Sequence, residues 1–132
     1  MRRASDAGAA VVEFVLISVL LVLLLFGVLQ VGVYFYARNI VAASAADAAR
    51  YAAAVGVAPS AGAVRAKQLI ADGLGAAQAR AIRCTSRSGT DARSGLPVTT
   101  VHCVGKVRAL LIATNLPLTV DFTSSALREQ TP

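Results

Sequence analysis

Few side chains in this 132-residue sequence have chemistry to offer, and they are scattered. His102 is the only histidine, and Asp47, Asp72, Asp91, Asp121 and Glu129 follow no motif. Ser60, Ser86 and Ser88 lie in turn-like sequence, where a hydroxyl usually serves the local backbone, so no nucleophile has a recognisable base. No glycine-rich loop matches a phosphate cradle. Cys84, Cys103 and His102 lack paired C-x-x-C spacing, and adjacent strand residues point to opposite faces, so no metal centre is expected. The expectation is a protein that is not an enzyme and carries no cofactor. The residue in the most unusual setting is Glu13, a carboxylate with Ala9 to Val12 on one side and Phe14 to Ile17 on the other, all apolar.

The element around Glu13 explains why that setting matters. Phe14 to Ala37 is a run of 24 residues without a charged side chain. At 1.5 Å per residue it makes about 36 Å of helix, enough to cross a hydrocarbon core about 30 Å thick. Tyr34, Phe35 and Tyr36 precede Arg38 and Asn39, a grouping suited to a headgroup layer. Arg2 and Arg3 before the span favour a cytoplasmic N-terminus, against Arg38 and Arg50 beyond it. A cleaved signal peptide would begin in the same way, but its apolar region is about half as long, and small-residue sites such as Ala43-Ser44-Ala45 come too late. A soluble core helix would need covering on every face, which so short a chain cannot supply. At hydrocarbon depth a carboxylate costs on the order of 2.5 to 3.5 kcal/mol. Either Glu13 lies at the interface, or it meets a positive partner when chains pack side by side.

The span is expected to continue as helix beyond the membrane, because Asn39 to Val55 is alanine-rich and unbroken until Gly56. Ile40, Ala43, Asp47, Arg50 and Tyr51 recur at helical spacing there, with Asp47 able to pair with Arg50. Such a mixed face suggests packing on a domain. Ser60 is placed to cap a second helix from Ala61 to Asp72, closed by Gly73 and Gly75, with Val64, Leu69 and Ile70 as its apolar stripe. Three strands are expected, Gln78 to Cys84, Val98 to Arg108 and Leu118 to Ser125. In the last, Leu118, Val120 and Phe122 alternate with Thr119, Asp121 and Thr123. Arg87 to Pro97 reads as an exposed, mobile hairpin loop between the first two, and Ala109 to Leu116 as either short helix or strand continuation.

The fold expected is α+β: a transmembrane helix over 9–37, its extracytoplasmic continuation over 38–55, and over 56–132 a small domain with a second helix and an antiparallel sheet of about three strands. Cys84, at the end of the first expected strand, and Cys103, within the second, sit across the hairpin loop. An extracytoplasmic disulfide and two free buried thiols both fit. The formal net charge of +6 attracts anionic lipid, wall polymer or nucleic acid. No aromatic residue lies among the basic residues from Arg65 to Arg108, so nucleic acid is not expected as a partner.

Gly8, then Ala9-Ala10-Val11-Val12, then Glu13-Phe14, at the head of an apolar helix and behind a short basic segment, resembles the processing pattern of type IV pilins. Leu24-Leu25-Phe26-Gly27, Tyr36-Ala37-Arg38-Asn39, Ala48-Ala49-Arg50-Tyr51-Ala52-Ala53 and the tail Thr123 to Glu129 resemble the TadE-like proteins, minor pilins or pseudopilins of tight-adherence (Flp-type) pili. The resemblance is strongest up to about Ala54. It implies that residues 1–8 are a leader removed after Gly8 by a prepilin peptidase on the cytoplasmic side, leaving Ala9 as the mature N-terminus. Glu13 then meets the N-terminal amine of a neighbouring subunit, with Phe14 beside it. Other pilin-like subunits, the inner-membrane assembly platform and membrane lipid are the implied partners. Major subunits of such pili are much shorter, which favours an accessory or tip role. The contrasting reading is a signal-anchored envelope protein whose basic outer domain binds or regulates and never assembles. A secreted enzyme ranks third, for want of any residue set that nominates a reaction.

Overall fold

The computed structural model describes residues 3–107 and 118–129. Ala109 to Leu116, and the expected strand end at Arg108, lie outside the described residues. The fold is α+β, as the sequence implies: a long apolar helix, shorter helices, and a three-stranded antiparallel sheet. The chain divides into two units, one ending at Val33 and the other beginning at Tyr34. Helix α1, Arg3–Ala53, supplies the first unit and the opening segment of the second. Its alanine and leucine content sustains helix over 51 residues, and it ends just before Gly56, whose φ of 78° suits glycine.

In the second unit, α1 is followed by α2 (Ala61–Leu74), α3 (Ala76–Arg80), β1 (Ile82–Thr90), β2 (Pro97–Val107) and β3 (Leu118–Leu127). The sheet order is β1-β2-β3, with Cys84 opposite Cys103 and Cys103 opposite Phe122. Ile82, Cys84, Val101, Cys103, Val107 and Val120 turn one sheet face inward. Arg83, Thr85, Arg87, Lys106, Asp121 and Thr123 are exposed on the other, the two-residue alternation of a half-buried sheet.

The face of α1 that packs is not the mixed one expected. Ala37, Val41, Ala45, Ala48, Ala49 and Ala52 are buried, whereas Ala43, Asp47, Arg50 and Tyr51 are exposed and Ile40 is half-buried. Alanine buries without desolvating charge and lets backbones approach closely. Asp47 reaches Arg65 on α2, 3.3 Å from its Nε, rather than Arg50 one turn along. Both side chains are exposed, so the pair contributes little. Gly62 shows how tight the junction is: a Cβ there would stand 3.0 Å from Ala52 Cβ and 2.6 Å from Ser86 Oγ. The last carbonyls of α1 are satisfied from the sheet side, Thr99 Oγ1 donating to Ala52 O and the Glu129 amide to Ala53 O.

The small elements depart from expectation in three places. Ser60 does not cap α2; its backbone is helical and its side chain makes no capping bond, while Pro59 O and Ser60 O accept from the Gly62 and Ala63 amides. Gly73 stays inside α2, and Gly75, with φ 87°, ends it. Along α2, Ile70 of the expected stripe is buried beside Gly62 and Ala66 and Leu69 is half-buried, whereas Val64 is exposed.

The first strand is also shifted. Ala76–Arg80 is helical because alanine, glutamine and arginine carry no β-branch to favour a strand, and β1 begins at Ile82. It then runs on to Thr90, since Ser88 and Gly89 find ladder partners in Thr99 and Val98. The connection therefore shrinks to residues 91–96. It is exposed at Ala92 to Leu96 but internally bonded: the Ser94 amide and hydroxyl both donate to Asp91 Oδ2, at 2.9 and 2.7 Å, and the Gly95 amide to Asp91 O.

Two outcomes follow. A Cβ on Gly105 would collide with Ala81 O and stand 2.6 Å from Ile82 Cα, backbone that cannot swing aside. Gly105→Ala should cost about 1–3 kcal/mol of unfolding free energy by denaturant titration, whereas Gly89→Ala, with open space around it, should cost about 0.5 kcal/mol or less. The two Ser94 hydrogen bonds, the side-chain one foremost, hold the Asp91 carboxyl below its ordinary value of 3.8. A depressed folded value means that the turn's contribution is complete above pH 3.8 and is lost as pH falls through the lower value. Ser94→Ala should raise the Asp91 pKa toward 3.8 in a carboxyl-resolved NMR titration.

Candidate functional site on the N-terminal helix

Gly8, Ala9, Glu13 and Phe14 all lie in α1 and are exposed. The Gly8–Ala9 peptide bond is thus within helix, at a residue that costs helix about 1 kcal/mol relative to alanine. Five residues on, about 7.5 Å along the axis, stands Glu13. It has no ion-pair partner among the described residues. Phe14 beside it is 71% exposed.

Beyond Phe14 the helix surface is aliphatic all round. Leu16, Leu20, Leu23, Leu24 and Leu25 are each more than 60% exposed, and Val15, Val19, Val22 and Val28 about half or more. The stretch from Gly8 holds the one helix among the described residues that is long and apolar enough to cross a membrane, and none of its most apolar window is buried within the chain. A helix that is hydrophobic on every side needs an apolar surrounding, not one partner face. Ser18 fits there because its hydroxyl donates to Phe14 O at 2.7 Å.

Residues 8–50 match the family model of TadE-like proteins. That stretch of the N-terminal helix is similar to TadE-like proteins. The match begins at Gly8, takes in Glu13 and the whole apolar stretch, and closes at Arg50, about a third of the chain. No curated protein and no solved structure matches. The stretch similar to TadE-like proteins thus takes in the one membrane-span candidate among the described residues.

The remaining sequence-selected residues fall in the second unit. Cys84 and Cys103 are directly opposed on β1 and β2, Cα atoms 4.1 Å apart, and joined as a disulfide with Cys103 fully buried. Cys84 is the third residue of β1 rather than its last. His102 lies on the outward sheet face, its Nε2 2.8 Å from Asp121 Oδ1. The ladder sets Asp121 opposite Val104, so the two side chains meet on a diagonal that only the register reveals. A second unforeseen grouping surrounds Arg65, whose guanidinium stands 5.9 Å above the Tyr51 ring while its Nε faces Asp47. Tyr51 and Arg65 border a shallow cleft of about 320 Å³ with Ala61, Val64 and Gln68. A distance of 14 residues between Tyr51 and Arg65 leaves no local sequence signal for it. Among the described residues no three metal-ligating side chains cluster.

The disulfide ties β1 to the central strand, β2, of a small sheet. Replacing Cys84 and Cys103 together by alanine should lower unfolding free energy by about 2–4 kcal/mol, and a reductant should produce a matching loss in the parent chain only.

Proposed function

We propose that this chain is a minor pilin or pseudopilin of a tight-adherence pilus, made with its N-terminus in the cytoplasm and cut after Gly8 by a prepilin peptidase. The observation that carries the proposal is Glu13: an exposed carboxylate with no ion-pair partner among the described residues, on an apolar helix, five residues after a glycine, inside the segment that matches TadE-like proteins. Cleavage leaves Ala9 as the first residue and Glu13 as the fifth. The new α-amine carries a positive charge near neutral pH. On one helix that amine and Glu13 are separated by about one turn; on a neighbour shifted along the axis the amine comes level with the Glu13 carboxylate. Two charges that are each costly in hydrocarbon then offset one another.

The same physics gives the anchor and the filament one surface. Before cutting, lipid covers the aliphatic helix; after it, the helices of neighbouring subunits do. Gly8 serves the first step through its weak helix propensity, since a peptidase needs local backbone in an extended form. The second unit, with Arg83, Arg87 and Lys106 on its open sheet face, would then decorate the outside of the assembly. The tight-adherence assembly platform and its other pilin-like subunits are the partners this reading requires.

Mass spectrometry of the membrane-extracted protein should find Ala9 as the N-terminus when the chain is expressed with an active prepilin peptidase. An intact segment up to Gly8 under those conditions would falsify the proposal. Glu13→Ala should still reach the membrane and be cut, yet copurify with pilus components at least tenfold less than the parent; undiminished copurification would remove Glu13 from assembly.

A further inference from the structure

Between Phe14 and Val33 only Ser18 and Gln30 carry a polar side chain. Ser18 is satisfied within its own helix, by Phe14 O. Gln30 is not: its Oε1 is shielded from solvent and has no hydrogen-bond partner among the described residues. A carboxamide has two donors and a carbonyl acceptor, and hydrocarbon supplies partners for none of them. Gln30 stands 17 residues beyond Glu13, about 26 Å along the helix, which keeps it within a core about 30 Å thick when Glu13 sits at the cytoplasmic edge.

The backbone beside Gln30 is open. Gly27 lies one turn earlier on the same face, and a Cβ placed there would meet no atom within 4 Å. Leu20, Leu23, Gly27 and Gln30 follow one another at spacings of three, four and three, the row along which two helices meet. Glycine brings the helix axes close, and the neighbouring carboxamide then comes within hydrogen-bond reach.

We infer that Gln30, with Gly27, forms a self-association site in the membrane whose occupant is the same face of a second copy of this chain. The carboxamide is self-complementary: once the side chain turns outward to uncover the shielded Oε1, the Nε2 of one copy donates to the Oε1 of the other, and the reverse, so a parallel pair at equal depth satisfies both side chains. A lipid tail or an aliphatic helix satisfies neither. On a straight helix Gln30 lies about 100° round from Glu13, so the two residues address different neighbours. Helices that cross at Gly27 also diverge toward Glu13, which keeps the two carboxylates of the pair apart. The inference rests on the membrane-span reading and not on processing at Gly8.

The test uses the full chain, labelled at its C-terminus with donor or acceptor fluorophore and reconstituted in phosphatidylcholine vesicles over a range of protein-to-lipid ratios. The parent should show saturable energy transfer. Gln30→Leu, which is more apolar and inserts at least as well, should weaken association by roughly three- to fifteenfold. Gln30→Asn keeps the carboxamide and should retain most of it, and Ser18→Ala, at a side chain satisfied within its own helix, should leave it unchanged. No transfer in the parent, equal association in Gln30→Leu, or a loss in Gln30→Asn as large as that in Gln30→Leu would each overturn the inference. Failure of cleavage at Gly8 would remove the pilin proposal and leave these readouts as they are, so the two can fail separately.

Discussion

Aliphatic side chains ring α1 from Val11 to Val31, and most of them stand at half exposure or more. Removing such a side chain from water is worth about 1.5–3 kcal/mol, so the segment carries a free-energy cost many times the stability of a small domain unless something apolar surrounds it. Everything else about the N-terminal unit follows from that demand. Serine is admitted because it bonds to its own helix. A carboxylate and a carboxamide, Glu13 and Gln30, are left without partners among the described residues.

The second unit solves the opposite problem, building a core from few large residues. Its most buried positions are dominated by alanine, with Ile70, Ile82, Val41, Val101 and Val120 as the bulky exceptions. Alanines on α1 and Gly62 on α2 let two helices and a sheet approach to van der Waals distance, so dispersion replaces bulk. The cross-strand disulfide and the hydrogen bonds from Thr99 and Glu129 to the end of α1 add constraints that so small a core needs. Arg38, stacked 5.4 Å from the Phe122 ring centre, ties the opening segment of this unit to its last strand.

A division of labour is visible in where the TadE-like match falls. It covers the helix, from the glycine at which processing is proposed to the alanine face that packs in the second unit, and stops before the sheet. A helix that is apolar on every side restricts residue types at nearly every position. An exposed sheet face of threonine, serine and arginine answers mainly to solvent and to whatever it meets, and many sequences satisfy that.

What the sequence determined by itself was whatever rests on long, strongly patterned stretches. The apolar run, the unbroken alanine helix behind it, the Gly8 to Phe14 spacing and the alternation from Leu118 to Phe122 are each local, so each could be read before any contact was known. The tertiary structure decided what depends on partners distant in sequence. β1 reaches Thr90 only because β2 lies beside it, and Gln78 to Arg80, expected as strand, closes a helix. Asp47 turns to Arg65 and His102 to Asp121, because packing and register bring those groups together. Alanine, equally at home on either face of a helix, does not announce which side it will bury; the close approach of α2 and the sheet makes that choice.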